Sequence, residues 1–170
     1  MIRRVIDFKL RSEERKLGVS LDYVRAIRDA SLGAFLRFAK LLGATDYRKK
    51  LTAEELFVAR LAAAREADCG SCLATEASLA RAAGVPEEVV GPLLPGGSGA
   101  LRPELEEIAA FTRAVLDTRG AASAERDRLR EVLRARHGDE GLVELALAIG
   151  VGGTFPTIKR ALGYATSCAL

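Results

Sequence analysis

The amino-acid sequence predicts an all-α protein, and three observations support this fold class. Hydrophobic residues make up 49% of the 170 residues, whereas aromatic residues make up only 5%, and Trp is absent. This composition is typical of packed helices rather than of sheets rich in Val, Thr and Tyr. Apolar residues recur at helical spacing, and no segment shows the period-two alternation of a strand. A chain of this length is expected to form one domain with its own core.

The first half of the chain contains three predicted helices. Residues 21–42 carry apolar side chains at helical spacing, and Gly43 is expected to end that helix. Thr52 is a favourable N-cap for the next helix, which has two glutamates in its first turn and is expected to run to about Ala67. Asp68 is expected to cap the helix that follows.

Glycine and proline mark the next boundaries. Gly84 is expected to end the third helix, and Pro86 to start a short one at the position that proline favours. Residues 93–100 combine Pro, Gly and Ser, which predicts a loop. Pro103 then begins a helix that is expected to stop near Gly120.

Two further helices are predicted in the C-terminal part. Ser123 is expected to cap the first, which ends at Gly138, and the second runs over about residues 139–162. A glycine cluster at 150–153 lacks the preceding strand and the Gly-Lys-Ser/Thr ending of a phosphate-binding loop. Close helix packing, or a bend near Pro156, is therefore the better interpretation.

The net charge of +3 is unevenly distributed. Residues 1–50 hold 13 Lys and Arg against 6 Asp and Glu, so this part is near +7 and the remainder near −4. A basic segment can bind nucleic acid, but no aromatic residues alternate with these charges in a base-stacking pattern. We therefore expect solvated charges, or contact with an acidic surface of a neighbouring subunit, and no nucleic-acid partner.

The sequence predicts a cytoplasmic location. Its start lacks the continuous apolar core of a secretion signal. No segment reaches the roughly 18 uncharged apolar residues that a membrane span needs, so no membrane association is expected. Three cysteines, an odd number, do not form the disulfide framework of a secreted protein.

The most informative motif is Cys69-Gly-Ser-Cys72. Cysteines at positions i and i+3 share a helix face, so their sulfurs can form and exchange a disulfide. In the first turn of a helix, unpaired backbone N–H groups and the helix dipole lower the pKa of a thiol and favour the reactive thiolate. We therefore expect an exposed, redox-active pair at the start of a helix.

The residues around this motif carry a family resemblance. A helix over 51–67 precedes the cysteines, and Leu-Ala-Thr-Glu-Ala-Ser-Leu-Ala-Arg-Ala-Ala-Gly-Val-Pro-Glu-Glu-Val follows them at 73–89. Weaker support comes from residues 103–116 and 143–163. On these residues the chain resembles the alkylhydroperoxidase D-like (AhpD-like) / carboxymuconolactone decarboxylase family.

The resemblance covers roughly residues 20–165. It implies an AhpD-like helical bundle over residues 20–170 that assembles as a homo-oligomer, usually a trimer or hexamer, with residues 1–19 as an N-terminal arm. It also implies an antioxidant peroxidase that takes electrons from a dithiol partner, such as a lipoylated or thioredoxin-like protein. No cofactor is expected.

The resemblance also assigns roles to individual residues. Cys72 matches the cysteine that attacks the peroxide and becomes a sulfenic acid, and Cys69 matches the partner that closes the disulfide. The family motif has His and Glu where this chain has Glu76 and Phe57. Glu76, one turn beyond Cys72, is therefore expected to take over proton transfer, which requires a pKa raised by burial, and Glu66 is a second candidate.

Several alternatives remain at this stage. The cysteine pair could be structural, and Glu76 could be a surface residue or a salt-bridge partner of Arg81. The enzyme could instead be decarboxylase-like and act without its thiols, which turnover after Cys→Ser substitution would reveal. The protein could also be a redox-responsive interaction or scaffold protein. A zinc site is not expected, because only Cys168, read as a bystander, and His137, read as a residue of a helix end, remain as ligands.

Overall fold

The computed structural model describes residues 2–43 and 47–165. Within these residues the secondary structure is entirely helical, which confirms the all-α prediction. In chain order the elements are α1 (Ile2–Leu17), α2 (Asp22–Ala30), α3 (Leu32–Gly43), α4 (Ala53–Glu66), α5 (Gly70–Ala82), α6 (Glu87–Val90), a 3₁₀ turn (Gly91–Leu93), α7 (Pro103–Leu116) and α8 (Ser123–Ala161).

Most helix ends lie where the sequence predicts them. Thr52 forms a capping box at the start of α4: its hydroxyl accepts the Glu55 N–H, and the Glu55 carboxylate accepts the Thr52 N–H. Gly84, just after α5, has a φ of 83°, a left-handed conformation that glycine adopts without strain. Pro103 is the first residue of α7, and residues 94–102 form a loop.

Two predicted boundaries in the first half are wrong. Residues 21–42 form two helices rather than one, because Ser31 is extended and its hydroxyl accepts the N–H of Ala34 at the start of α3. Asp68 does not cap α5: it adopts a positive φ of 46°, and the N-cap position belongs to Cys69. A residue whose side chain caps a helix needs an extended backbone, and the positive φ of Asp68 does not provide it.

Helix α8 contains a break at Gly138, where φ is 70° and ψ is −178°. This break agrees with the predicted end of one helix and start of another. Ser123 is the first residue of α8 rather than its cap, and Asp117 instead binds the N–H groups of Arg119 and Ala122 in the preceding turn. By length and composition α8 is apolar enough to cross a membrane, but the core helix of a soluble protein has the same properties.

Helix α4 lies at the centre of the main core. Its residues from Glu55 to Ala64 are all buried, and it packs against α5, α7 and α8. The packing against α8 is closest at Gly152, where an added Cβ would lie 2.7 Å from the Cβ of Ala63 and 3.1 Å from the carbonyl oxygen of Arg60. Close helix packing therefore explains this glycine, as predicted.

The N-terminal helices form a smaller aromatic cluster. Tyr23, Val24 and Phe38 are buried, and Phe155 and Ile158 of α8 pack against them. The rings of Tyr23 and Phe38 meet edge to face with centroids 5.8 Å apart. This cluster positions α2 against the C-terminal part of α8.

Acidic residues of helix α1 form ion pairs with part of the basic charge of the N-terminal region. Glu14 pairs with Arg25 of α2 at 2.5 Å, and Asp7 pairs with Arg28. At its end, the Leu17 carbonyl accepts a hydrogen bond of 2.8 Å from the hydroxyl of Ser78 on α5. Residues 2–17 are thus a helix that contacts α2 and α5.

Candidate functional site

The two cysteines of the motif lie together at the start of α5. Cys69 is the N-cap residue and Cys72 lies in the first turn. Their Cα atoms are 5.2 Å apart and their sulfurs are joined by a disulfide. The helix-turn spacing read from the sequence therefore allows the bond that redox cycling requires.

The predicted exposure of this pair is wrong. Cys69 is fully buried, and only 5% of Cys72 is exposed. Both side chains belong to the main core, which includes buried side chains of α4, whereas Gly70 and Ser71 between them are partly exposed. At the start of α5, Gly70 and Ser71 are thus partly exposed, while both cysteines lie in the core.

Glu76 is buried and forms an ion pair with Arg60 of α4. The Arg60 Nε lies 2.8 Å from Oε2 of Glu76, and its Nη2 donates to Oε1 at 3.0 Å. The Arg60 guanidinium also lies 5.1 Å from the centroid of the Phe57 ring. The surface and Arg81 interpretations of Glu76 are therefore wrong, since Arg81 binds Glu87 instead.

This pairing bears on the proton role expected of Glu76. Proton transfer requires a carboxyl group that releases and takes up a proton, whereas both carboxylate oxygens of Glu76 lie within 3.0 Å of the Arg60 guanidinium. Glu76 therefore provides a buried negative charge one turn beyond Cys72.

Glu66 occupies a different environment. It is exposed at the end of α4 and lines a surface cavity of about 230 Å³ together with Leu93 and Arg113. The cysteine pair is not among the residues lining this cavity. The structure therefore brings Cys69, Cys72 and Glu76 together on α5 and places Glu66 on another surface.

Lys159 is a member of the site that the sequence analysis missed. This residue of α8 is only 4% exposed, and its Nζ donates to the Ser71 hydroxyl at 3.3 Å. The ammonium also lies 4.8 Å from the centroid of the Tyr23 ring. One sequence signal could have identified it, because Lys159 ends a run without charged residues that starts at Leu145.

The surroundings of Lys159 shift the pKa values of two groups. Burial lowers the pKa of Lys159, and the charge of Glu76 acts in the opposite direction. Burial, assisted by Glu76, raises the pKa of Tyr23 to about 12. Tyr23 therefore stays neutral at physiological pH.

A second group of buried polar residues lies at the other end of α4. The Glu144 carboxylate accepts the N–H groups of Lys49, Lys50 and Leu51, at 2.8 to 3.1 Å. Burial raises the pKa of Glu144, but these N–H groups outweigh it, so the pKa lies below its ordinary value. Glu144 thus holds the segment that leads into α4, a role that no sequence pattern indicated.

His137 lies beside the start of α4. Its Nε2 is 3.3 Å from Oε1 of Glu55, and both side chains are largely buried. The residue immediately precedes the break at Gly138, in agreement with its predicted position at a helix end. It connects α8 to the capping box of α4.

Among residues 2–43 and 47–165, no group of three or more His, Cys, Asp or Glu side chains is arranged to hold a metal ion. Cys168 lies outside the described residues. No protein-family model, curated protein or solved structure matches the chain.

Proposed function

We propose that this chain is a thiol-dependent oxidoreductase that reduces hydroperoxides by cycling Cys69 and Cys72 between dithiol and disulfide. The observation that carries the proposal is the Cys69–Cys72 disulfide at the first turn of α5. The resemblance to the peroxidase branch of the AhpD-like family adds the peroxide substrate. The Lys159 ammonium, which donates to the Ser71 hydroxyl between the two cysteines, brings a positive charge to this turn, and a positive charge favours the thiolate.

The proposed cycle balances two electrons. The Cys72 thiolate attacks the outer peroxide oxygen, the O–O bond breaks, and the alkoxide takes a proton to leave as an alcohol. Cys69 then attacks the sulfenic acid on Cys72, water leaves, and the disulfide forms. A dithiol donor reduces the disulfide and becomes a disulfide itself.

The burial of both sulfurs sets a condition on this cycle. Cys72 is the less buried of the two residues, which agrees with its assignment as the cysteine that meets the peroxide or the donor thiolate. Because both cysteines are almost fully buried, the start of α5 has to shift to admit a substrate. Small hydroperoxides are therefore favoured over bulky ones.

The partners follow from the resemblance. The electron donor is a dithiol protein, lipoylated or thioredoxin-like, and the setting is the cytoplasm. The protein assembles as a trimer or hexamer of identical chains. Exposed apolar side chains on α8, Val143 and Leu147, support a surface that another chain covers.

Stopped-flow measurement of thiol loss after addition of an organic hydroperoxide tests the proposal. A Cys168→Ser background removes the third thiol, so that only the pair is counted. In that background we expect two thiols per chain to be oxidised rapidly. With the additional substitution Cys72→Ser, we expect the reaction with peroxide to be slower by at least about 100-fold. Peroxide consumption by Cys72→Ser at the undiminished rate would refute the peroxidase function.

Glu76→Gln tests the carboxylate separately. If Glu76 moves a proton during the reaction, the rate falls by about 100-fold or more. An unchanged rate shows that the buried charge of Glu76 only stabilises Arg60 and leaves the cysteine assignment intact.

A redox-responsive interaction protein is the second candidate, and the burial of the disulfide favours it. A buried bond that changes the start of α5 could alter assembly without turnover. Light scattering of the reduced and oxidised protein distinguishes the two functions. A change of mass with oxidation, together with negligible peroxide consumption, supports the interaction protein.

A further inference from the structure

Ser71 lies between the two cysteines and contacts one of their sulfurs. Its Oγ is 3.7 Å from Sγ of Cys69. In the disulfide, Cys69 has no proton to donate, so the hydrogen atom of this contact comes from the Ser71 hydroxyl. The hydroxyl group therefore points its proton at the sulfur that leaves when the disulfide is reduced through Cys72.

The same hydroxyl oxygen accepts a hydrogen bond from Lys159. The distance from Nζ to Oγ is 3.3 Å, and the two residues lie 88 positions apart in the sequence. Lys159 is almost fully buried, so its ammonium has little contact with water. The two hydrogen bonds run in one direction, from Lys159 through Ser71 to Cys69.

We propose that Lys159 and Ser71 form a proton path to Cys69, in which Ser71 transfers the proton and Lys159 supplies and stores it. This inference rests on the proposed dithiol–disulfide cycle and assigns two further residues to it. Ser71 touches the reacting sulfur, whereas Lys159 is a positioning residue that acts through Ser71.

In the reducing direction the path supplies one proton. A donor thiolate attacks Sγ of Cys72, the S–S bond breaks, and Cys69 leaves with the bonding electron pair. Cys69 takes the proton of the Ser71 hydroxyl, and Ser71 takes one from the Lys159 ammonium. The second thiol of the donor then displaces Cys72, so the donor loses two electrons and the pair gains them.

In the oxidising direction the proton returns. The Cys69 thiol passes its proton through Ser71 to the Lys159 amine, and the resulting thiolate attacks the sulfenic acid on Cys72. The S–O bond breaks, and the hydroxide takes a proton to leave as water. The same two side chains thus serve Cys69 in both halves of the cycle.

The charged and titratable groups around Lys159 suit a residue that exchanges a proton. The Tyr23 ring of α2 faces the ammonium, and Glu76 of α5, held by Arg60 of α4, supplies a negative charge. Burial brings the pKa of Lys159 below its ordinary value of 10.5, with Glu76 opposing part of that shift. Lys159 therefore loses its proton at a lower pH than an exposed lysine does.

Reduction of the disulfide by dithiothreitol tests the path without requiring a peroxide. Rates are compared from pH 6 to 9 for four proteins in the Cys168→Ser background, namely the parent, Ser71→Ala, Ser71→Thr and Lys159→Arg. Because the ionisation of dithiothreitol is common to all four, the ratio of each variant to the parent reports on the protein alone. Circular dichroism confirms that each variant is folded.

We expect Ser71→Ala to slow reduction by about tenfold or more, and Ser71→Thr, which keeps the hydroxyl, to restore most of the rate. Lys159→Arg keeps a positive charge but does not release its proton in this range, so the ratio to the parent should be lowest at low pH, where the Lys159 ammonium of the parent supplies the proton, and should rise with pH as that ammonium is lost. If Lys159→Arg does not fold, the comparison between Ser71→Ala and Ser71→Thr decides the outcome.

Equal rates for Ser71→Ala and the parent at every pH would overturn the proton path. So would a chain in which Cys69 and Cys72 form no disulfide on oxidation. The proposed peroxidase function fails differently: the parent would then show the expected dithiothreitol pattern but consume no hydroperoxide.

Discussion

Helices α1–α3 bury three apolar side chains of their own, Tyr23, Val24 and Phe38, whereas 26 buried residues between Leu51 and Ile149 form the main core of the described chain. The two regions also treat charge differently. Ion pairs of the N-terminal helices, such as Glu14 with Arg25, remain partly exposed. The pair of Arg60 and Glu76 in the main core is almost completely removed from water.

This difference predicts how each region fails. When a charge buried in the main core loses its partner, no water can replace that partner. Removal of one member of a buried ion pair therefore destabilises the whole fold. A partly exposed pair is replaced by hydration at little cost. The N-terminal helices are therefore expected to open locally while the main core stays folded.

The largest effect is expected from breaking the buried ion pair. Glu76→Leu leaves the Arg60 guanidinium buried without its carboxylate and should lower the free energy of unfolding by about 3–5 kcal/mol. Glu87→Leu, which breaks the exposed pair with Arg81, is the matched control and should cost less than about 1 kcal/mol. Urea denaturation measures both.

The double variant Arg60→Met/Glu76→Leu sharpens this test. Because it removes both charges together, it should regain most of the lost stability. If the double variant loses as much free energy of unfolding as Arg60→Met and Glu76→Leu lose together, each charge is held by groups other than its partner.

The next effect concerns the contact between α4 and α8. Gly152→Ala places a methyl group 2.7 Å from the Cβ of Ala63 and should destabilise the protein by about 1–3 kcal/mol. Gly150→Ala is the matched control, because an added Cβ there meets nothing within 4 Å and the change should stabilise the helix by up to about 1 kcal/mol. Thermal denaturation of both variants checks the sign of each change, and equal effects would contradict the close packing.

A pH-dependent effect is expected at Glu144. Glu144→Gln weakens the hydrogen bonds to the segment before α4 and should cost about 1–3 kcal/mol at pH 7. Since the pKa of Glu144 is lowered in the folded protein, its contribution is complete above the ordinary value of 4.5 and is lost as the pH falls below it. The difference between parent and variant in urea denaturation should therefore shrink towards pH 3. A difference that is constant with pH would contradict the ionised form of Glu144.

The smallest effect is expected in the N-terminal helices. Hydrogen bonds from Arg25 and from the Leu21 backbone lower the pKa of Glu14 to about 2. Glu14→Gln should cost about 0.5–1 kcal/mol above pH 4.5, and this difference should disappear as the pH falls towards 2. Hydrogen exchange of α1 should accelerate while exchange in α4 stays unchanged.

Glu13→Gln is the control for this experiment, because the pair of Glu13 with Lys16 is largely exposed. It should leave exchange in both helices unchanged. Faster exchange in α4 after Glu14→Gln would show that the two regions unfold together and would break the comparison between them.

Local signals in the sequence predicted much of the helical framework. The capping residue Thr52, the stop at Gly84 and the break at Gly138 each act through the backbone of their own segment, so neighbouring residues suffice to reveal them. The split at Ser31 was missed because apolar side chains continue at helical spacing on both sides of it. Periodicity identifies a helix face but does not show where one helix stops and the next begins.

The candidate site likewise has some features that the sequence predicts and others that it does not. That Cys69 and Cys72 share one helical turn follows from their spacing, since a helix repeats every 3.6 residues whatever surrounds it. The burial of their sulfurs, the pairing of Glu76 with Arg60, and the contact of Lys159 with Ser71 were decided only by the tertiary structure. These features join α2, α4, α5 and α8, and packing between separate helices determines which charge is removed from water and which group compensates it.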